Sequence, residues 1–504
     1  MEGETPVTTR RRQVVIVGGG TAGWMSAALL AKITQGKLGD ITLVESEEIG
    51  TIGVGEATIP AIKRFNRLLE IHERDFVRQT QASFKLGIEF VNWGRLGTRY
   101  FHPFGQIGDP IGRTAFHQFL TRRRLAGETE SFEDYSLNAA AAKLNHFATP
   151  PRDDSLLSTL SYAYHFDASL YAAFLRRHAE GNGVRRVEGR IRHISQNAET
   201  GFVETLTLES GQTISGDFFI DCSGLSALLI EKTLKSGFDD WSAVLPCNSA
   251  AFVPSEKTGD VTPYTRSTAH TAGWQWRIPL QHRTGNGYVF CDAFASDEEA
   301  TEKLLSRLEG KVLAEPRVLK FTAGHSTRMW EKNVVSLGLA SGFLEPLEST
   351  SIYLVQSALA RLMALFPRGP VNSDVRRKFN DDMNAEYECV RDFLIAHYKL
   401  TERDDTPFWR MCRDMDIPER LKMRLDVFKE EGLLLEFPQD LFKDSSWFSV
   451  LMGQGLHPKR YHPLADAMPR EEFLNRMTQL RRMIGQRASA LPTHSQYISQ
   501  LGGE

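Results

Sequence analysis

The chain has 504 residues, 41% of them hydrophobic and 24% charged, as in ordinary soluble globular proteins, and is long enough for two or three regions around an extensive core. Its net charge of −3 gives no electrostatic reason for nucleic acid or an anionic membrane as partner. Cys222, Cys247, Cys291, Cys389 and Cys412 are widely spread and form no C-x-x-C pair. This argues against a zinc site or a disulfide framework and for a reducing, cytoplasmic setting, with no metal expected.

Residues 1–12 are polar and end in Arg10-Arg11-Arg12, with no cleavable apolar h-region behind them, since the apolar run that follows belongs to a strand and turn. They are read as a disordered tail, and neither a signal peptide nor a membrane span is expected. Gln13-Val14-Val15-Ile16-Val17 then reads as a buried parallel strand. Gly18-Gly19-Gly20-Thr21-Ala22-Gly23 follows directly and matches G-x-G-x-x-G. Residues 24–32 form an apolar helix, and Ile41-Thr42-Leu43-Val44 is the second strand. Glu45 stands at its end, 22 residues past Gly23, where a carboxylate accepts from a ribose hydroxyl. Strand, glycine turn, helix, strand and acid in this order indicate dinucleotide binding, with a pyrophosphate resting on the helix N-terminus.

Phe84-Lys85-Leu86-Gly87-Ile88-Glu89-Phe90 sets a lysine in an apolar stretch, and Tyr100-Phe101-His102-Pro103-Phe104 sets a histidine among aromatics. Residues 164–179 read as a helix. Gly183-Val184-Arg185-Arg186-Val187 reads as a strand whose backbone lies on the adenine side. Asp217 to Gly224 and Asn333 to Ala340 read as strands returning to the nucleotide sheet, and both resemble segments that recur in FAD monooxygenase-type folds, which favours FAD over NAD. Gly273-Trp274-Gln275-Trp276-Arg277-Ile278-Pro279 alternates as a strand, with both indoles on one face.

Leu344-Glu345-Pro346-Leu347-Glu348-Ser349-Thr350-Ser351 places an acid beside a helix start, where unpaired N–H groups can hold an anion. Ile352, Val355, Leu359 and Leu362 continue at helical spacing. Helical patterns run to Arg487, interrupted near Pro407, Pro418, Pro438 and Pro458. Residues from Ala488 on read as poorly ordered. Taken singly, the lysine suits a snorkelling side chain, the tryptophans suit a core, and Glu348 suits a residue answering the helix dipole.

Together, Gly18 to Gly23, Gly53-Val54-Gly55-Glu56-Ala57-Thr58, Lys85 after Ser83-Phe84, the W-x-W-x-I-P strand and Phe343 to Thr350 resemble the flavin-dependent tryptophan halogenase family, from about residue 12 to about 460. The resemblance implies an α/β fold: a Rossmann-like FAD-binding domain of the flavin monooxygenase (GR2-like) type, a substrate-side sheet and a mainly helical C-terminal part. The corresponding boundaries are 13–360 for the FAD domain interleaved with that sheet, 361–487 for the helical substrate-covering region and 488–504 for a flexible tail. It implies that reduced FAD and O2 oxidise chloride or bromide to hypohalous acid. Lys85 would present the oxidant to an electron-rich aromatic carbon, with Glu348 assisting.

FAD would contact Gly18, Gly20, Thr21, Ala22, Gly23, Glu45, Val187, Leu339 and Ile352. The halide would rest on the N–H groups of Thr350 and Ser351. Trp274 and Trp276 would separate flavin from substrate, and His102, Phe104, Trp447 and Phe448 would touch the substrate. The expected partners are a separate flavin reductase, since no second G-x-G-x-x-G occurs, and a small aromatic substrate; a homodimer is left open. Whether Lys85 acts as an ammonium or through a haloamine is also open.

Two features depart from the family. Tryptophan halogenases hold the amino-acid head with a tyrosine pair and an acid, where this chain has Trp447, Phe448 and Gln454. A charged amino acid without partners is costly in a pocket, so an indole lacking that group, or a larger indole or phenol, fits better. Ser351 stands where glycine is usual, which motivates a preference for bromide. The alternative is a flavin-dependent aromatic hydroxylase, which would need neither halide nor Lys85. A flavin-binding scaffold without turnover is the other rival.

Overall fold

The structure, a computed structural model, describes residues 11–37, 39–48, 55–367, 369 and 371–502. Most of the expected N-terminal tail, and Gly53 and Val54 of the second motif, lie outside the described residues. Gln13–Val17 sits inside a six-stranded sheet, flanked by Phe218–Asp221 and Asp40–Glu45, both parallel to it. Val334–Ser336 adds on one side and Arg185–Glu188 on the other, also parallel. The β-branched run explains the central position. Val14 and Ile16 enter one core while Val15 and Val17 enter a second, so both faces are covered, as a parallel sheet requires.

A seven-stranded sheet carries the two tryptophans. In it Gly273–Pro279 pairs with Arg283–Phe290 and Thr265–Ala269, and Gly87–Val91 and Arg99–Pro103 complete one edge. Lys85 ends the strand Ser83–Lys85, which belongs to a three-stranded sheet with Gly55–Ala57 and Ala163–Asp167. The lysine therefore stands where the chain crosses from one sheet to the other.

Three sequence expectations are corrected. Residues 164–167 are not helical: Ala163–Asp167 is a strand paired on both sides, and the helix Ala168–Gly181 starts after it. Asp167 caps that helix by accepting from the N–H groups of Ser169 and Leu170, which makes the strand-to-helix change sharp. Helix Ser351–Leu365 runs across the expected boundary at 360. Residues 494–502 are not a loose tail, because His494–Gly502 is a helix.

His494 is fully buried. Its Nε2 accepts from the backbone N–H of Phe84 at 3.0 Å, and its Nδ1 donates to the Val261 carbonyl at 2.8 Å. Burial pushes its pKa down to about 4, so the neutral tautomer holds both bonds. His494→Ala strands a buried N–H next to Lys85. The expected cost is about 1–3 kcal/mol of stability, read as a lower urea midpoint at constant slope.

The rest of the C-terminal part is helical, dominated by Ser373–Lys399. This helix sends Phe379, Met383, Tyr387, Val390, Phe393 and His397 into the core at three- and four-residue spacing. Pro407 stands at the start of helix Pro407–Asp414, where its missing N–H costs nothing.

Candidate active site

Gly18 adopts φ +110°, and a Cβ there would lie 2.2 Å from the Cys222 carbonyl oxygen; only glycine lets the turn pass this close. Gly20, by contrast, faces open space. That space is part of a cavity of about 1020 Å³ lined by Gly18, Gly20, Thr21, Ala22 and Glu45. It continues past Leu339 and Trp276 to Ser349, Ser351 and Ile352. Gly23 is buried behind the turn. Glu45 is also held by Arg186, whose Nε lies 2.5 Å from Oε1. Val187 does not reach the cavity. It is buried in register with Val44 in the sheet, and Gly189, Arg190 and Ile191 form the wall instead.

Lys85 and Glu348 are both fully buried. Lys85 Nζ donates to Ser349 Oγ at 2.8 Å and lies 5.0 Å from the centre of the Phe104 ring. Burial pushes the lysine down to about 7, and the Glu348 charge opposes that shift only partly. Burial also raises the Glu348 carboxyl, but two imidazoles more than offset it and hold it at about 2. His102 Nδ1 is 3.0 Å from both carboxylate oxygens, and His397 Nε2 is 2.9 Å from one of them.

Ser349 is the connecting element: it bonds Lys85 and also lines the large cavity. Its φ of +59°, unfavourable for a side chain with Cβ, turns the chain between the 3-10 turn Pro346–Glu348 and the helix Ser351–Leu365. Thr350 precedes that helix with no side-chain cap, and its buried hydroxyl has no partner among the described residues. Neither Ser349 nor His397 was among the sequence candidates. Ser349 was legible in principle from its place inside the acidic motif; His397, on a distant helix, was not.

Trp274 and Trp276 share a sheet face, with ring centroids 6.1 Å apart. Trp276 faces the large cavity and Trp274 lies behind it. The Trp274 indole N–H donates to Glu345 Oε2 at 2.7 Å, and the Tyr398 hydroxyl donates to the same oxygen at 2.5 Å. Burial raises the Glu345 carboxyl to about 7 despite these donors. Trp274→Phe removes one of them from a buried acid. The expected loss is about 1–3 kcal/mol, measurable by urea unfolding at pH 8 against the parent protein.

His102, Phe104 and Trp447 belong to one aromatic cluster through shared neighbours. His102 stacks edge-on with Phe104 and Phe393, and Phe393 contacts Trp447 at 4.8 Å. Phe448 does not join them. It is one step further around the helix Asp444–Gly453 and packs on His117 and Phe132. Gln454 donates to the His397 carbonyl at 3.0 Å and is buried.

The tryptophan halogenase family model matches residues 13–470. The chain belongs to the tryptophan halogenase family. It is 36% identical to tryptophan 6-halogenase ThaL of Streptomyces albogriseolus, covering 88% of this chain and 89% of that one. It is 34% identical to tryptophan 7-halogenase RebH of Lentzea aerocolonigenes, covering 89% and 91%. Among solved structures, the flavin-dependent halogenase Xcc4156 from Xanthomonas campestris superimposes with a TM-score of 0.94. The two are 43% identical, and 98% of each chain is covered. BrvH from Brevundimonas sp. BAL3 gives 0.94 and 43%, covering 98% of this chain and 99% of that one.

This halogenase is a flavoprotein that uses FADH2, O2 and a halide. Its relatives depend on a separate flavin reductase and act on aromatic substrates. The cavity fits the cofactor: an opening at Gly20 beside a helix start suits a pyrophosphate, and its length reaches Ser351. Among the described residues, no helix is long and apolar enough to cross a membrane, and no cluster of three His, Cys, Asp or Glu is placed to hold a metal.

Proposed function

We propose that this halogenase installs bromide or chloride on an electron-rich indole-type carbon through Lys85 and Glu348. The observation that carries the reading is that both side chains are fully buried while Ser349 links Lys85 to the flavin cavity. Reduced FAD, when bound with O2, supplies the oxidation of halide to hypohalous acid. The N–H groups of Thr350 and Ser351 at the helix start hold the halide. Trp276 and Trp274 keep the organic substrate off the cofactor, so oxygen is not transferred to it directly.

Lys85 donates a hydrogen bond to the hypohalous oxygen and thereby sharpens the electrophilic halogen. The aromatic carbon attacks the halogen, and the oxygen leaves with a proton as water. Glu348, ionised at neutral pH, stabilises the cationic ring and accepts the proton it loses. The Glu348 charge favours the ammonium form of Lys85 and so opposes the effect of burial.

The site favours an indole without a free amino-acid head. Trp447 and Gln454 offer that head no charge, and the Gln454 amide is already bound to His397. The five buried, unpaired cysteines support the cytoplasm as the working compartment. The test supplies a flavin reductase, FAD, NADH and O2, with equal bromide and chloride, to a panel of indoles, phenols and free tryptophan. Brominated indoles are expected to exceed chlorinated ones, with tryptophan at least tenfold poorer. Product formed without halide would instead favour a hydroxylase.

A further inference from the structure

His165 is fully buried in the strand Ala163–Asp167, directly opposite Ser83. It links two hydroxyl groups, and the hydrogens in this chain can be assigned. Ser83 Oγ lies 2.6 Å from the Pro279 carbonyl oxygen. A carbonyl only accepts, so the Ser83 hydrogen points there. His165 Nδ1, 3.1 Å from the same Oγ, must therefore be the N–H that donates to it. Burial first, and then the nearby Lys85 charge, push the imidazole pKa well down, so the ring is neutral and carries one N–H. Its Nε2 is then a lone pair, and Thr265 Oγ, 2.9 Å away, must donate to it.

Thr265 also lines the flavin cavity, on the same wall as Trp276 and Ile278. With its hydrogen committed to His165, it offers the cavity lone pairs only. Flavin changes its hydrogen-bonding character on reduction: the bare N5 of the oxidised ring becomes an N–H. We infer that Thr265 recognises the reduced cofactor by accepting an N–H that flavin carries only when reduced, with His165 as the positioning residue that fixes this polarity. The inference rests on FAD occupying this cavity, and not on the proposed route of the halogen.

The experiment measures dissociation constants for FADH2, under anaerobic conditions, and for oxidised FAD, together with the midpoint potential of the bound flavin. Thr265→Val keeps the shape and removes the acceptor. It is expected to weaken FADH2 about tenfold and to leave oxidised FAD within twofold, which also reports that the protein is folded. Tenfold corresponds to a potential lower by about 30 mV for a two-electron couple. Thr265→Ser should retain both affinities. His165→Phe releases the Thr265 hydrogen toward the cavity, so oxidised FAD should bind more tightly and the potential should fall. Equal weakening of both redox forms in Thr265→Val, or no change in either, would overturn the proposal. An unchanged potential in His165→Phe would remove His165 from it. Failure of the parent protein to bind either form would instead reject the cavity as the flavin site.

Discussion

Lys85→Met is expected to lower halogenated product by about 10²–10⁴-fold, the range of a lost acid–base group, without loss of stability. The variant retains an apolar stem in a site where the ammonium is fully buried. Exchanging a buried charge for a well-packed apolar group is often neutral or stabilising. Product should be followed by mass detection while a trap in solution counts hypohalous acid. The trap signal should persist, because the cavity and the halide site do not include the lysine. Lys85→Arg should not rescue: its planar, permanently charged fork does not match a point donor beside Ser349.

The parent protein carries a pH signature. Lys85 is held near 7, so activity that needs the ammonium falls as pH rises through that value. A limb falling toward acid instead would mean that the free amine, and hence a haloamine, is the working form.

Glu348→Gln is expected to cost about 10²–10³-fold in product and to move the limb of the pH profile. The carboxylate opposes the drop in the Lys85 pKa, so its removal shifts that limb to lower pH. A purely structural role would leave the limb in place. The same variant has a stability signature. The folded pKa of Glu348 is about 2, below its ordinary 4.5, so the associated stabilisation is present above 4.5 and is lost as pH falls through about 2. Its size is about 3 kcal/mol. The urea-midpoint difference between the parent and Glu348→Gln should therefore shrink between pH 5 and pH 2.5.

Much of this site was legible in the chain because it depends on local rules. The order of Gln13–Val17, the glycine turn and Glu45 fixes a nucleotide site, since a tight turn, a free helix start and an acid are set by short-range geometry. The alternation of Trp274 and Trp276 assigned both indoles to one face, because a strand has period two. Ile352, Val355, Leu359 and Leu362 announced the helix that starts at Ser351 by their three- and four-residue spacing. Residues 164–167 misled because aromatic side chains fit helix and strand alike until both neighbouring strands pair with them. Phe448 misled because adjacent residues on a helix point about 100° apart, and only packing shows that Trp447 joins the cluster of His102 and Phe393 while Phe448 does not.

The sequence by itself determined the nucleotide fold, the tryptophan strand and the identities of the lysine and the acid. Tertiary structure alone decided that Lys85 meets Ser349 across 264 positions, and that His102 and His397, from opposite halves of the chain, hold Glu348 ionised. It also decided that the last helix supports the lysine strand through His494. Local patterns encode backbone conformation, whereas protonation and hydrogen-bond polarity depend on which distant groups share a buried space.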